Sequence, residues 1–109
     1  MTALDDLWNV AYVENGVRLL DATFGRDEWI EHIDWNKLDI YSLNDCIIGQ
    51  METGLPGRFE VLEKLGLQSF DGSYVYGFET PPNYRTGRTH YTQLNEAWVE
   101  WAHKHGYTK

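Results

Sequence analysis

Thr92-Gln93-Leu94-Asn95-Glu96-Ala97-Trp98-Val99-Glu100-Trp101-Ala102-His103-Lys104-His105 places Leu94, Ala97, Trp98, Trp101 and Ala102 at spacings of three and four. That is the pattern of a helix with one buried stripe. Thr89 or Thr92 can cap its start, Lys104 sets a cation near the negative pole, and Gly106 suits the position just past the last turn.

Working outward, residues 57–65 carry Phe59, Leu62 and Leu65 on one side, with Pro56 before them and Leu65-Gly66-Leu67 behind. Proline near the start, glycine after the end and a hydrophobic residue beyond it predict a helix closed by a Schellman stop. Residues 14–25 read as a helix with Val17, Leu20 and Phe24 inward, and Asp27 is placed to cap a further turn whose Trp29, Ile30 and Ile33 face the core. The stretch to Val13 mixes acidic and apolar residues and admits a short helix, a strand or a flexible arm over 1–13. Ser73-Tyr74-Val75-Tyr76-Gly77-Phe78 is rich in aromatic and β-branched residues, with 38–40 and 6–10 as potential strand partners. Glu79 to Arg88, with Pro81-Pro82 and Gly87, reads as a surface loop. The expected fold is one mainly α domain over residues 1–109, α or α+β, with room for a short two- or three-stranded β element.

The chain has 109 residues, 42% hydrophobic, 24% charged and 15% aromatic, which is globular composition. Seventeen acidic residues against nine basic ones give a formal net charge of −8, which argues against direct binding of nucleic acid or anionic membrane, since both need a cationic footprint. One cysteine cannot form an internal disulfide, and neither a leader pattern nor a membrane-length apolar run is present. A cytoplasmic location is expected.

The run Leu38-Asp39-Ile40-Tyr41-Ser42-Leu43-Asn44-Asp45-Cys46-Ile47-Ile48-Gly49-Gln50 holds that cysteine. After Ser42 or Asn44 as cap, residues 45–51 predict about two turns of helix. Cys46 beside two isoleucines reads as core, since a nucleophilic thiolate needs a nearby base or cationic field. Gly49 within a helix costs about 1 kcal/mol against alanine and implies a packing reason. The Gln50 amide, at the end of an apolar run, is suited to bind backbone groups and tie two segments together.

No catalytic, cofactor or metal site is legible. His103 and His105, two residues apart on a helix, point in different directions, whereas zinc needs three or four convergent ligands. Asp5-Asp6 and Asp27-Glu28 read as surface and capping pairs, and no phosphate loop or dinucleotide fingerprint is present. Arg85 and Arg88, interleaved with Tyr84, His90 and Tyr91, make the one locally cationic stretch and a candidate binding loop.

Leu20-Asp21, Trp29, Ile33-Asp34, Leu38-Asp39, Ser42, Cys46-Ile47-Ile48-Gly49-Gln50, Leu65-Gly66-Leu67, Gly77-Phe78, Tyr91, Leu94 and Trp98 occur in an order that resembles a group of small uncharacterised proteins encoded by actinobacteria and their phages. The resemblance covers about residues 16–102. Ile47-Ile48 stands where that pattern has Val-Leu, a change that conserves the packing reading. Spread over apolar, turn and cap positions, the pattern resembles a fold signature more than an active site.

The expected function is binding of another macromolecule in the cytoplasm, a protein partner, without catalysis or cofactor; the phage setting that the resemblance implies would make this a small accessory protein, in the host cytoplasm, that modulates a host or phage protein. Trp8, Trp35, Tyr84, Arg85 and Arg88 are the expected contacts, because Trp, Tyr and Arg dominate interface hot spots. The wealth of aromatic residues is compatible with a homodimer. The alternatives are a small-ligand-binding protein with a pocket lined by Trp and Tyr, an enzyme using Cys46 with a histidine, which requires an accessible thiol, and an acidic inhibitor of a nucleic-acid-binding protein, which requires salt-sensitive binding.

Overall fold

The first helix extends well upstream of its expected start. In the computed structural model, which describes residues 3–42, 44–51, 58–67, 71–80 and 89–108, α1 runs unbroken from Ala3 to Phe24. Residues 3–13 therefore take the helical alternative, not strand or arm. Val13, Val17 and Leu20 form its buried stripe, the continuation at helical spacing that selects helix over the other readings. After Gly25 the chain turns into α2, Arg26–Glu31, where Gly25 and not Asp27 holds the N-cap position. Asp27 instead lies in the first turn of α2 with Glu28, where a carboxylate still favours the positive pole.

The predicted two-turn helix at the signature is a single turn, α3, Ile47–Met51. The residues before it are taken up by side-chain-stabilised turns. Asp34 Oδ1 accepts from the Asn36 N–H at 3.0 Å and Asp39 Oδ1 from the Tyr41 N–H at 3.0 Å. Ser42 Oγ accepts from the N–H groups of Asn44 and Asp45, both at 3.3 Å. Asp and Ser compete with helix for backbone donors in this way, which shortens the helix that follows.

Helix α4 spans Arg58–Lys64 and α5 spans Thr89–Lys104. The predicted stop of α4 is present in full: the Gly66 N–H donates to the Glu63 carbonyl at 3.0 Å and the Leu67 N–H to the Leu62 carbonyl at 2.9 Å, with Gly66 at φ +77°. These two bonds define the Schellman motif, and the left-handed φ explains the glycine. The end of α5 repeats the pattern, Gly106 to His103 at 3.2 Å and Tyr107 to Ala102 at 2.8 Å. Phe59 is expected on the inner side of α4, but its side chain lies outside the description, as does Pro56; Val61, Leu62 and Leu65 are buried.

The stretch for which the sequence left room as a β element takes a helical form instead. Residues 71–76 form a 3-10 segment, Asp71–Tyr76, and no strand occurs among the described residues. The segment packs on α1 instead, Tyr74 through its ring against Tyr12 and Val75 and Tyr76 through their carbonyls, because strand propensity measures fit to a half-buried surface and not a backbone preference. The expected partners are committed elsewhere, residues 6–10 to α1 and 38–40 to turns. The approach of this segment to α1 is close enough to require a residue without a side chain: a Cβ on Gly16 would collide with the Tyr76 carbonyl and stand 3.1 Å from the Trp98 ring.

With no sheet to satisfy loop backbone, side chains do so, as buried polar groups require. Asn15 Nδ2 donates to the Val75 carbonyl at 3.0 Å, Asn95 Oδ1 accepts from the Ile40 N–H at 3.0 Å, and Trp98 Nε1 donates to the Gly77 carbonyl at 2.7 Å. The architecture is thus mainly α, with α1 packed against α5, α2 and the 3-10 segment, and α3 against α4. Its Cα radius of gyration is 12.9 Å, close to the ~13 Å of a single domain near this length. No helix among the described residues is long and apolar enough to cross a membrane.

At the centre, four of the five tryptophans meet. Trp29 stacks on Trp101 at 5.7 Å and stands edge-on to Trp98 and Trp35, each at 6.5 Å between centroids. Phe78 stacks on the other side of the cluster against Trp98 at 6.1 Å. Offset-stacked and edge-to-face contacts are the favoured geometries for such rings.

Candidate functional site

The signature residues Cys46, Gly49 and Gln50 are all buried and serve as a local tie. The thiol of Cys46, 1% exposed, accepts from the Gly49 N–H at 3.4 Å, the role of an N-cap side chain for α3. Gln50 Oε1 accepts from the Asp34 N–H at 2.6 Å, while its Nε2 donates to the Asp34 and Asp45 carbonyls at 3.3 and 2.9 Å. The expectation that Gln50 joins two segments holds, and its partners are 16 and five residues away. Burial also removes the solvent access that the cysteine-dependent alternative needs.

A second polar cluster supports the tryptophan core. Arg26 forks onto both oxygens of Asp21 at 2.7 Å, and the Trp29 indole N–H donates to Asp21 Oδ1 at 2.8 Å. The Arg26 guanidinium also lies 5.1 Å over the Trp101 ring and reaches the Tyr107 hydroxyl at 3.4 Å. The hydrogen bonds from Arg26, helped by that from Trp29, hold the Asp21 carboxyl below its ordinary range against the opposing effect of burial. Asp21 raises the Arg26 guanidinium in turn. This constellation locks α1, α2 and the end of α5 together; its groups are spent on one another. No group of three or more His, Cys, Asp or Glu residues among those described is arranged to hold a metal ion.

Of the expected contact residues, the two that are described take different positions. Trp8 lies on α1, 56% exposed, with its ring edge-on to Tyr12 at 6.0 Å, which in turn meets Tyr74. Trp35 was expected outside and is instead half-buried against Trp29 and Trp101, because the turn around Asp34 directs it back onto the core. Tyr84, Arg85 and Arg88 lie outside the described residues.

A surface that sequence reasoning missed runs along the other flank of α1. Val10, 50% exposed, sits over an open trough floored by Val13, Ala97 and Trp101 and walled by Glu14, Glu96 and Glu100. Its part over Val13 and Trp101 has a cavity volume of about 60 Å³. The signal was present in the spacing of Val10, Val13 and Val17, but it becomes readable only once residues 3–13 are known to be helical. At about 100° per residue, Trp8 and Val10 stand roughly 200° apart, on opposite flanks of the outer face of α1. Comparison with protein families, with curated proteins and with solved structures gives no match for this chain.

Proposed function

We propose that this is a small cytoplasmic accessory protein that acts without catalysis, by binding another protein through the N-terminal half of α1. The phage-related setting comes from the resemblance of the signature pattern and belongs to the same proposal. The observation that carries the reading is the exposure of Trp8, 56%, in a chain whose other tryptophans are gathered in or against the core. A tryptophan exposes on the order of 200 Å² when free, so covering the remaining half contributes on the order of 2–3 kcal/mol to an association. Val10 adds a second exposed apolar side chain on the opposite flank. Tryptophan is among the residues enriched at interface hot spots.

The test is affinity purification of tagged protein from its native cytoplasm beside a Trp8→Ala variant and a charge-matched control, read by mass spectrometry. A partner recovered with the parent protein and depleted at least tenfold with the variant is the expected result. An identical set of recovered proteins with and without Trp8 overturns the reading.

A further inference from the structure

We infer that the trough between α1 and α5 docks a basic amphipathic helix of a partner protein, with aliphatic anchors over Val10, Val13 and Ala97 and Lys or Arg side chains against its acidic walls. This rests on the reading of the chain as a protein-binding module and adds to it a second contact surface, on the flank of α1 opposite Trp8. The trough follows α5 from Gln93 to His105, about 18 Å at the helical rise, the length of three turns of a docked helix. It is open along its middle, where Val10 is half exposed, a shape suited to a helix laid in a groove rather than to an enclosed small molecule.

Charge selects the occupant. Glu14, Glu96 and Glu100 line the trough against Lys104, and that lysine is already paired with Glu100 at 3.3 Å. Neither Glu14 nor Glu96 has an ion pair among the described residues. Glu96 and Glu100 are also four apart on one helix, where like charges repel and weaken α5; an incoming cation relieves that repulsion. Gln93, on the same wall, has a side-chain oxygen with no hydrogen-bond donor among the described residues. The carboxylates of Glu14, Glu96 and Glu100 and the side-chain oxygen of Gln93 outnumber the one cation of this lining, Lys104, and a Lys or Arg supplies donors only.

The same charges weigh against other occupants. A second copy of this chain would set carboxylates against carboxylates, and nucleic acid or an anionic membrane would be repelled by a chain of net charge −8. Strand addition has no sheet edge to join among the described residues. A cationic helix is steered toward this surface at long range and anchored by apolar contact at short range.

The experiment is a display selection of randomised 16-residue helical peptides against the full-length protein, counter-selected on a Val10→Lys variant whose fold is checked by circular dichroism and urea midpoint. Enriched peptides are expected to be net positive with apolar residues at helical spacing. Their affinity should fall at least tenfold between 50 and 500 mM NaCl and at least fivefold in Glu96→Lys, while Trp8→Ala changes it less than twofold. Neutral or acidic peptides, or binding indifferent to both Val10→Lys and Glu96→Lys, overturn the inference, as does failure to enrich any peptide over the counter-selection variant. In each of those cases a native partner lost on Trp8→Ala would leave the binding function standing with a different contact surface.

Discussion

The carboxamide of Gln50 closes a two-point hydrogen-bonded ring on the backbone of Asp34, accepting from its N–H at 2.6 Å and returning a donor to its carbonyl at 3.3 Å. A side-chain amide here does what a neighbouring strand does in a sheet: it satisfies both polar groups of one residue. The same Nε2 also reaches the Asp45 carbonyl at 2.9 Å, so one side chain fixes both ends of the turn-rich segment before α3.

Gln50→Ala should destabilise the protein by about 2–4 kcal/mol, since several partly buried backbone groups lose their partner at once, measured as a lowered urea midpoint at unchanged slope. Gln50→Glu is the sharper test. Its carboxylate keeps the acceptor for the Asp34 N–H but faces two carbonyls with no proton to give. Its folded pKa should therefore be raised, and the stability deficit relative to the parent should shrink as pH falls from 7 to 5. A deficit that does not change over that range would contradict the two donor bonds.

Gly16→Ala sets two effects against each other. Alanine favours a helix interior by about 1 kcal/mol, while the added Cβ meets the Tyr76 carbonyl, a backbone atom that cannot rotate away. Overpacking of this kind costs about 1–3 kcal/mol, so net destabilisation is expected. A more stable variant would mean that α1 and the 3-10 segment separate freely.

Asp21→Asn removes the bidentate partner of Arg26 and weakens the acceptor of the Trp29 indole. Both charged side chains are about one-third exposed, which discounts the loss to about 1–2 kcal/mol at pH 7. The sign with pH follows from the lowered Asp21 carboxyl: its contribution is complete above the ordinary aspartate value of about 3.9 and disappears as pH falls through the still lower folded value. Parent and variant should therefore converge in stability as pH falls below about 4. Equal unfolding free energies already at pH 7 would show that the pair contributes nothing.

Cys46 should react with a thiol reagent only through opening of the core, because its sulfur is buried and bound to the Gly49 N–H. In native buffer the labelling rate is expected to fall far below that of a free thiol at the same pH and to rise with urea in step with unfolding. Faster labelling than a free thiol would restore the cysteine-dependent enzyme reading.

In α4 and α5, helical spacing and the glycine beyond the last turn were enough to place the helix and its stop. The stripe through Leu94, Trp98 and Trp101, the Schellman end at Gly66 and the linking role of Gln50 depend on near neighbours or on the chemistry of one side chain, and each was legible. Tertiary structure decided the rest, since those outcomes depend on residues distant in the chain. Tyr74-Val75-Tyr76 became a 3-10 segment because Asn15, Gly16 and Trp98, each more than 20 residues away, receive it. Trp35 turned inward because Trp29 and Trp101 offer a ring surface that covers more of it than solvent exposure would allow. The trough at Val10 exists only where α1 crosses α5, some 85 residues further along, so no local pattern could announce it.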